Sequence, residues 1–150
     1  MARRKISKKI LEKEPYQLWN LFIDILAMED KEKLSDIQKT AQRVFWYDSE
    51  VQNGGHVQYF ANTDLEDYTP VIDSLEFMGA KSHAAMLEKA VKIYFRDGRK
   101  NLDTVKKLIE ESLKDENRNL DIEYCEIKPD IHFYLKEYLN KYTDEFIETE

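Results

Sequence analysis

Asp48-Ser49-Glu50-Val51-Gln52-Asn53-Gly54-Gly55-His56-Val57-Gln58-Tyr59-Phe60-Ala61-Asn62 is the stretch on which the reading of this chain turns. The whole sequence holds four glycines, and two of them stand side by side here. Asn and Gly both tolerate φ > 0, so Asn53-Gly54 reads as a left-handed cap that ends one helix and turns the chain sharply. Gly55 lets the next helix start close to its neighbour's backbone. Gln58, Tyr59 and Asn62 place amides and a hydroxyl beside the turn, where they can bond freed backbone groups. Two readings follow. One is a helical corner locked by its own polar side chains; the other is a small polar pocket floored by the glycines, taking a small ligand or a peptide.

Working outward, the apolar residues keep helical spacing almost everywhere. Upstream, Ser35 caps a helix through Ile37, Ala41, Val44 and Phe45 that is expected to stop at Asn53-Gly54-Gly55. Before it, Pro15 opens a segment whose Leu18, Trp19, Leu21, Phe22, Ile23, Ile25 and Leu26 make it apolar on nearly every side, a buried central helix. Downstream, Val57, Phe60 and Ala61 share one face. Thr69-Pro70 then starts a helix through Ile72, Leu75 and Met78 that closes at Gly79. Ala84, Leu87, Val91 and Tyr94 form a stripe ended by Asp97-Gly98. Val105, Leu108, Ile109 and Leu113 form another, capped at Asn101 or Asp103. Residues 119–128 alternate in a strand period, but no second strand offers a ladder, so the segment reads as an extended linker. After Pro129, Ile131, Tyr134, Leu135, Tyr138, Tyr142 and Phe146 make the last stripe. The expectation is an all-α, single-domain bundle of about six or seven helices over residues 15–150, behind a basic tail at 1–14.

Composition narrows the function classes. The 150 residues are 42% hydrophobic and 35% charged, enough for a core beneath a dense charged surface. Four Gly and three Pro are too few for a turn-rich β fold. A single cysteine, Cys125, cannot close an internal disulfide, which points to a reducing cytoplasm. The uncharged run from Pro15 to Ile23 is nine residues, and spanning a bilayer takes about 20, so no membrane role is expected. Residues 1–13 carry a net +5 and read as a solvated, frayed terminus; the rest of the −7 chain is left at −12. A body that acidic repels DNA, so no direct nucleic-acid binding is expected.

Chemistry-bearing motifs are sparse. His56, His83 and His132 share no metal-ligand spacing and read as surface or boundary residues. Cys125 has no neighbouring histidine in sequence and reads as an idle thiol. No GxGxxG, GxxxxGK[ST] or GxSxG is present. No metal, cofactor or catalytic residue is expected, and the chain is not read as an enzyme.

The run from Glu50 to Asn62 resembles the signature EV-x-NGG-x-x-QYF-x-N of the DNA-mimic-protein-19-like family, an all-α family of undefined function. A second match, Leu75-Glu76-Phe77-Met78-Gly79-Ala80, resembles that family's L-x-x-[IM]-GA, with Leu87 and Ala90 in the helix that follows. The likeness covers roughly residues 35–95 and rests on Glu50, Asn53, Gly54, Gly55, Gln58, Tyr59 and Asn62; His56 stands where the family usually has an aromatic or large apolar residue. The resemblance implies an acidic helical protein whose carboxylates stand where phosphates would lie, occupying the DNA-binding face of a basic protein partner.

Spacing supplies candidates for those carboxylates. Glu111 and Asp115 are four apart on one expected helix, and so are Asp144 and Glu148, which puts each pair about 5–6 Å apart at Cβ. Asp64, Glu66, Asp67, Asp73 and Glu76 form a third cluster with no base among them. A homodimer is a further possible assembly.

Overall fold

Ser35 and Gln38 open the longest helix with a capping box. The Ser35 hydroxyl accepts from the Gln38 backbone N–H (3.2 Å), and the Gln38 side chain accepts from the Ser35 N–H (3.0 Å). In the computed structural model, which describes residues 2–150, 72% of the chain is helical. The fold is all-α, with nine α-helices among the described residues and a single pair of short strands.

The chain divides into two compact units: one up to Trp46 together with Ile131–Glu150, the other Tyr47–Asp130. In the first, strand β1 (Arg4–Ile6) runs parallel to β2 (Ile147–Thr149), with Arg4 opposite Ile147. Helices α1 (Lys8–Lys13), α2 (Gln17–Met28), the start of α3 (Asp36–Thr63), α8 (Ile131–Lys141) and α9 (Thr143–Phe146) complete it. Phe22, Ile25 and Leu26 of α2 are fully buried, and Phe22 meets Phe146 edge-on at 4.8 Å. Trp19 and Ile23 are half-buried, so α2 buries one face and not its whole circumference.

The first residues are not a frayed terminus. Arg4 bonds Asp24 and Glu29, both at 2.9 Å, and Arg3 pairs with Glu148 at 3.5 Å. Arg3 and Arg4 thus have acidic partners inside their own unit, while Lys8, Lys9 and Lys13 of α1 enter no ion pair among the described residues.

The second unit holds the rest of α3, α4 (Thr69–Phe77), α5 (Lys81–Tyr94), α6 (Val105–Ser112) and α7 (Asp115–Glu126). Gly79 and Gly98 take positive φ (92° and 88°) after α4 and α5, as the sequence predicts. Four local expectations fail. Residues 119–128 are largely helical: α7 buries Leu120 and Tyr124 four apart, so the alternation of Leu120, Ile122 and Tyr124 is the helix's i, i+4 pair with an exposed Ile122 between. Helix α6 is capped by Thr104, whose hydroxyl accepts from Lys107 N–H at 3.2 Å, and not by Asn101 or Asp103. Glu111 and Asp115 lie on different helices, since the chain breaks between α6 and α7. Asp144 lies on α9 and Glu148 on β2, so that pair shares no helix either.

Candidate functional site

Helix α3 does not stop at Asn53-Gly54. It continues to Thr63 with one break, at Gly55, whose φ of 82° and ψ of 179° belong to a region essentially open only to glycine. Asn53 and Gly54 keep helical backbone, and the left-handed cap expected there is absent. Gly54 serves close approach instead. A Cβ at that position would strike the Gln58 side chain, which lies across it on its way to Glu50.

Glu50 is the clamp of the outer face. One carboxylate oxygen accepts from Gln58 Nε2 (3.0 Å) and from Asn62 Nδ2 (2.9 Å), joining the helix before the kink to the helix after it. The amides therefore bind a carboxylate, not the freed backbone groups expected of them. Asn53 is exposed, and Tyr59 is buried among the rings of Tyr47, Phe60 and Tyr68.

The inner face carries residues that the motif alone does not reveal. Asp121 Oδ1 accepts from the His56 backbone N–H (3.0 Å) and bonds its ring Nδ1 (2.9 Å), while His56 Nε2 meets the Tyr47 hydroxyl at 2.7 Å. The carboxylate thus caps the helix that restarts after the kink, where a negative charge suits the N-terminal dipole. Beside it, the Tyr124 hydroxyl donates to Asp48 at 2.5 Å. Burial pushes the hydroxyls of Tyr47 and Tyr124 well above the usual phenol range, so both stay protonated. Carboxylate, imidazole and phenol lie in the order of a proton relay, yet Tyr47 is wholly enclosed and the row works as a lock on the kink. His56 and His83 are each 1% exposed, and so are core residues and not the surface or boundary residues expected. Asp121→Ala removes both bonds to His56 and is expected to lower stability by roughly 2–3 kcal/mol, read from chemical denaturation. An unchanged midpoint would remove Asp121 from the lock.

His83 packs its ring against Tyr124 (centroids 5.3 Å), and burial lowers its pKa to about 4, against a weaker upward pull from Asp130. Unfolded, the imidazole binds a proton near pH 6.5. Between about 6.5 and about 4 the unfolded chain therefore holds more protons than the folded one, so stability falls as pH drops through that window. The expected loss is on the order of 2 kcal/mol. His83→Gln should flatten the curve of melting temperature against pH over that range; an identical slope would contradict the assignment.

The acids form a different pattern. The unit Tyr47–Asp130 carries 18 acids and 11 bases, a net −7, whereas the other unit carries 12 of each. Residues 44–80 contain seven acids and neither Lys nor Arg. Within that stretch the loop from Asp64 to Tyr68 is tightly held. Asp64 takes φ 43°, Arg99 bonds both its carboxylate and the Leu65 carbonyl, and the Tyr68 hydroxyl accepts from Leu65 N–H at 3.2 Å. Asp67 accepts from Thr69 N–H (2.9 Å), the first residue of α4, and those bonds hold its carboxyl below the usual range. Asp73 and Glu76 then sit three apart on the exposed face of α4, opposite buried Val71, Ser74 and Leu75.

The candidates consequently separate. Glu66, Asp73 and Glu76 are exposed and enter no ion pair among the described residues, whereas Asp64 is paired to Arg99. Glu111 is turned inward: it is 7% exposed, paired with Lys114 (2.7 Å) and Lys100 (3.6 Å), and receives Asn117. Its partners hold the carboxyl charged against the cost of burial. Asp115 is exposed at the start of α7. Asp144 and Glu148 lie in the neutral unit, where Arg3 bonds the Asp144 carbonyl and the Glu148 carboxylate. Among the described residues no cluster of three or more His, Cys, Asp or Glu is arranged to hold a metal ion. A cavity of about 320 Å³ opens between Phe60, Tyr94, Arg99 and Lys100, and neither glycine of the corner lines it.

The family model for DMP19-like proteins matches residues 32–148. The chain belongs to the DMP19-like family. The matched span starts before α3 and takes in every element that builds the kink, the lock and the base-free stretch of this DMP19-like chain. Comparison with curated proteins and comparison with solved structures each give no match. No helix among the described residues is long and apolar enough to cross a membrane.

Proposed function

We infer that this DMP19-like protein is a non-catalytic DNA mimic that covers the basic DNA-binding face of a protein partner and competes with DNA for it. One observation carries the reading: the net charge of −7 resides entirely in the Tyr47–Asp130 unit, and within it residues 47–80 hold seven acids and neither Lys nor Arg. Family membership supports it independently, through the name the family bears. The contact surface is the Glu66 loop and the outer face of α4 with Asp73 and Glu76. Arg99 and Tyr68 hold that loop in place, so little ordering entropy opposes binding. The free, exposed Cys125 suits a reducing compartment, which supports a cytoplasmic location for the proposed role.

The glycine corner enters only through folding, because Glu50, Gln58 and Asn62 engage one another and His56 engages Asp121. That favours mimicry over a ligand pocket floored by the glycines. The test is to capture DNA-binding proteins from the source cell on the immobilised chain and wash with short duplex DNA. A mimic's partner is released by duplex at low salt and is also released by salt alone, since both contacts are electrostatic. Retention of every captured protein in the presence of excess duplex would sink the reading.

A further inference from the structure

Lys100 is a cation without a close anion. Its side chain is only 20% exposed, its ammonium lies over the Tyr94 ring at 5.4 Å, and it makes no hydrogen bond among the described residues. The one carboxylate within 4 Å of it there is Glu111, at 3.6 Å, which is beyond ordinary hydrogen-bond reach. Lys114 already holds the other Glu111 oxygen at 2.7 Å. Burying an ammonium without bonding its protons is costly, so the position calls for an acceptor.

The cavity of about 320 Å³ supplies the place for one. Lys100 lines it, and its whole lining belongs to the Tyr47–Asp130 unit. Tyr94 lines it too. That residue is 5% exposed, yet its hydroxyl is not sealed in the core and makes no hydrogen bond among the described residues. Burial first, then Tyr68, Glu111 and Asp64, push its pKa up to about 12, so at neutral pH it is a donor. Asn101 lines the same cavity, and its carboxamide also makes no hydrogen bond among the described residues. The acids of the wall are engaged already, Asp64 by Arg99 and Asp103 by Lys107. Three unbonded donors therefore meet at a cavity whose carboxylates are taken. The wider charge agrees. Residues 96–107 carry five bases against Asp97 and Asp103, a net +3 inside a unit of net −7, so a small anion is drawn to this place on the unit.

We propose that this cavity is a binding site for a small phosphomonoester, whose phosphate is held by Lys100, the Tyr94 hydroxyl and Asn101. A phosphate presents three strong acceptor oxygens, one for each of these donors, whereas a carboxylate presents two. Arg99 contributes positive field and not a new bond, because it is committed to Asp64 and the Leu65 carbonyl. The cavity volume is roughly ten times the share of one water in the liquid, so the phosphate fills only part of it. An organic body of pentose size occupies the rest, beside Phe60 and Phe95. The proposal is independent of DNA mimicry.

Titration of the full, isotopically labelled chain with ribose 5-phosphate up to about 10 mM, followed through backbone amide chemical shifts, tests it. The expected result is a saturable set of shifts concentrated at residues 94–103, with none from ribose. Tyr94→Phe keeps the ring and should weaken binding about tenfold. Lys100→Met keeps the apolar stem and should abolish saturation, while the melting temperature stays level or rises because a poorly paired, half-buried charge is gone. Absence of saturable shifts overturns the proposal, and so does an affinity that Lys100→Met leaves unchanged. Succinate, a dianion without phosphate, should bind far more weakly. Saturation by succinate at the same concentrations would overturn the proposal too, since the site would then read charge alone.

Discussion

Gly55→Ala is expected to destabilise the protein by on the order of 3–5 kcal/mol, the largest effect of any single methyl group in the chain. Two costs coincide there. At φ 82° and ψ 179° any residue with a Cβ is strained, and the new Cβ would also fall on the Asp121 carboxylate, with Cγ 2.8 Å away. Moving Asp121 aside releases the His56 N–H and ring together, so the strain cannot relax without opening the lock. Gly54→Ala should be milder, about 1–2 kcal/mol. Its backbone is helical, and only the Gln58 amide must give up its bond to Glu50. Denaturant melts of the two variants settle the division of labour: equal losses would mean that the positive φ at Gly55 is not what the corner depends on.

The second large effect concerns binding. Reversing charge at Glu66, Asp73 and Glu76 together, each to Lys, is expected to weaken partner affinity by about 100-fold or more and to reduce its dependence on salt. These three carboxylates are exposed and enter no ion pair among the described residues, so the melting temperature should barely move. Asp64 and Asp67 are poor choices for this experiment, because they hold Arg99 and the start of α4. Reversal of Asp144 and Glu148, which lie in the neutral unit, should leave affinity unchanged. Isothermal titration of a captured partner against the two charge variants reads both expectations. Equal loss from both sets would show that total charge matters and placement does not.

How much of this was legible beforehand depends on the range of the interaction. Helix spacing outside residues 119–128, the Ser35 cap and the turns at Gly79 and Gly98 are local, and each stands where the sequence puts it. The sequence locates the glycine corner but not the residue that breaks, because either of two adjacent glycines can carry the break and only packing chooses Gly55. What chooses it is Asp121, which bonds His56 from 65 residues away, in a segment whose alternating pattern reads as extended. A still longer separation, 76 residues, hides the Asp48–Tyr124 bond, and the burial of His56 depends on the same long-range packing. One signal was available: a histidine inside a motif that otherwise favours an apolar residue there asks for a buried polar partner.

The acids show the complementary failure. Their number and the lack of neighbouring bases were plain, but whether a carboxylate faces solvent or a lysine depends on helix boundaries. Glu111 reads as a surface acid in the sequence, whereas the break between α6 and α7 lets Lys114 and Asn117 fold back onto it. Likewise the basic start looked free because its acidic partners, Asp24, Glu29 and Glu148, are distant in sequence.

The most direct test of mimicry is a three-component measurement. A captured DNA-binding partner is mixed with its fluorescent duplex and then titrated with this protein, while fluorescence anisotropy and sedimentation velocity are followed in the same samples. Competition for one basic face predicts that anisotropy falls to that of free duplex, and that the duplex never sediments with both proteins. A species containing partner, duplex and this chain together, with anisotropy undiminished at saturation, would contradict the account.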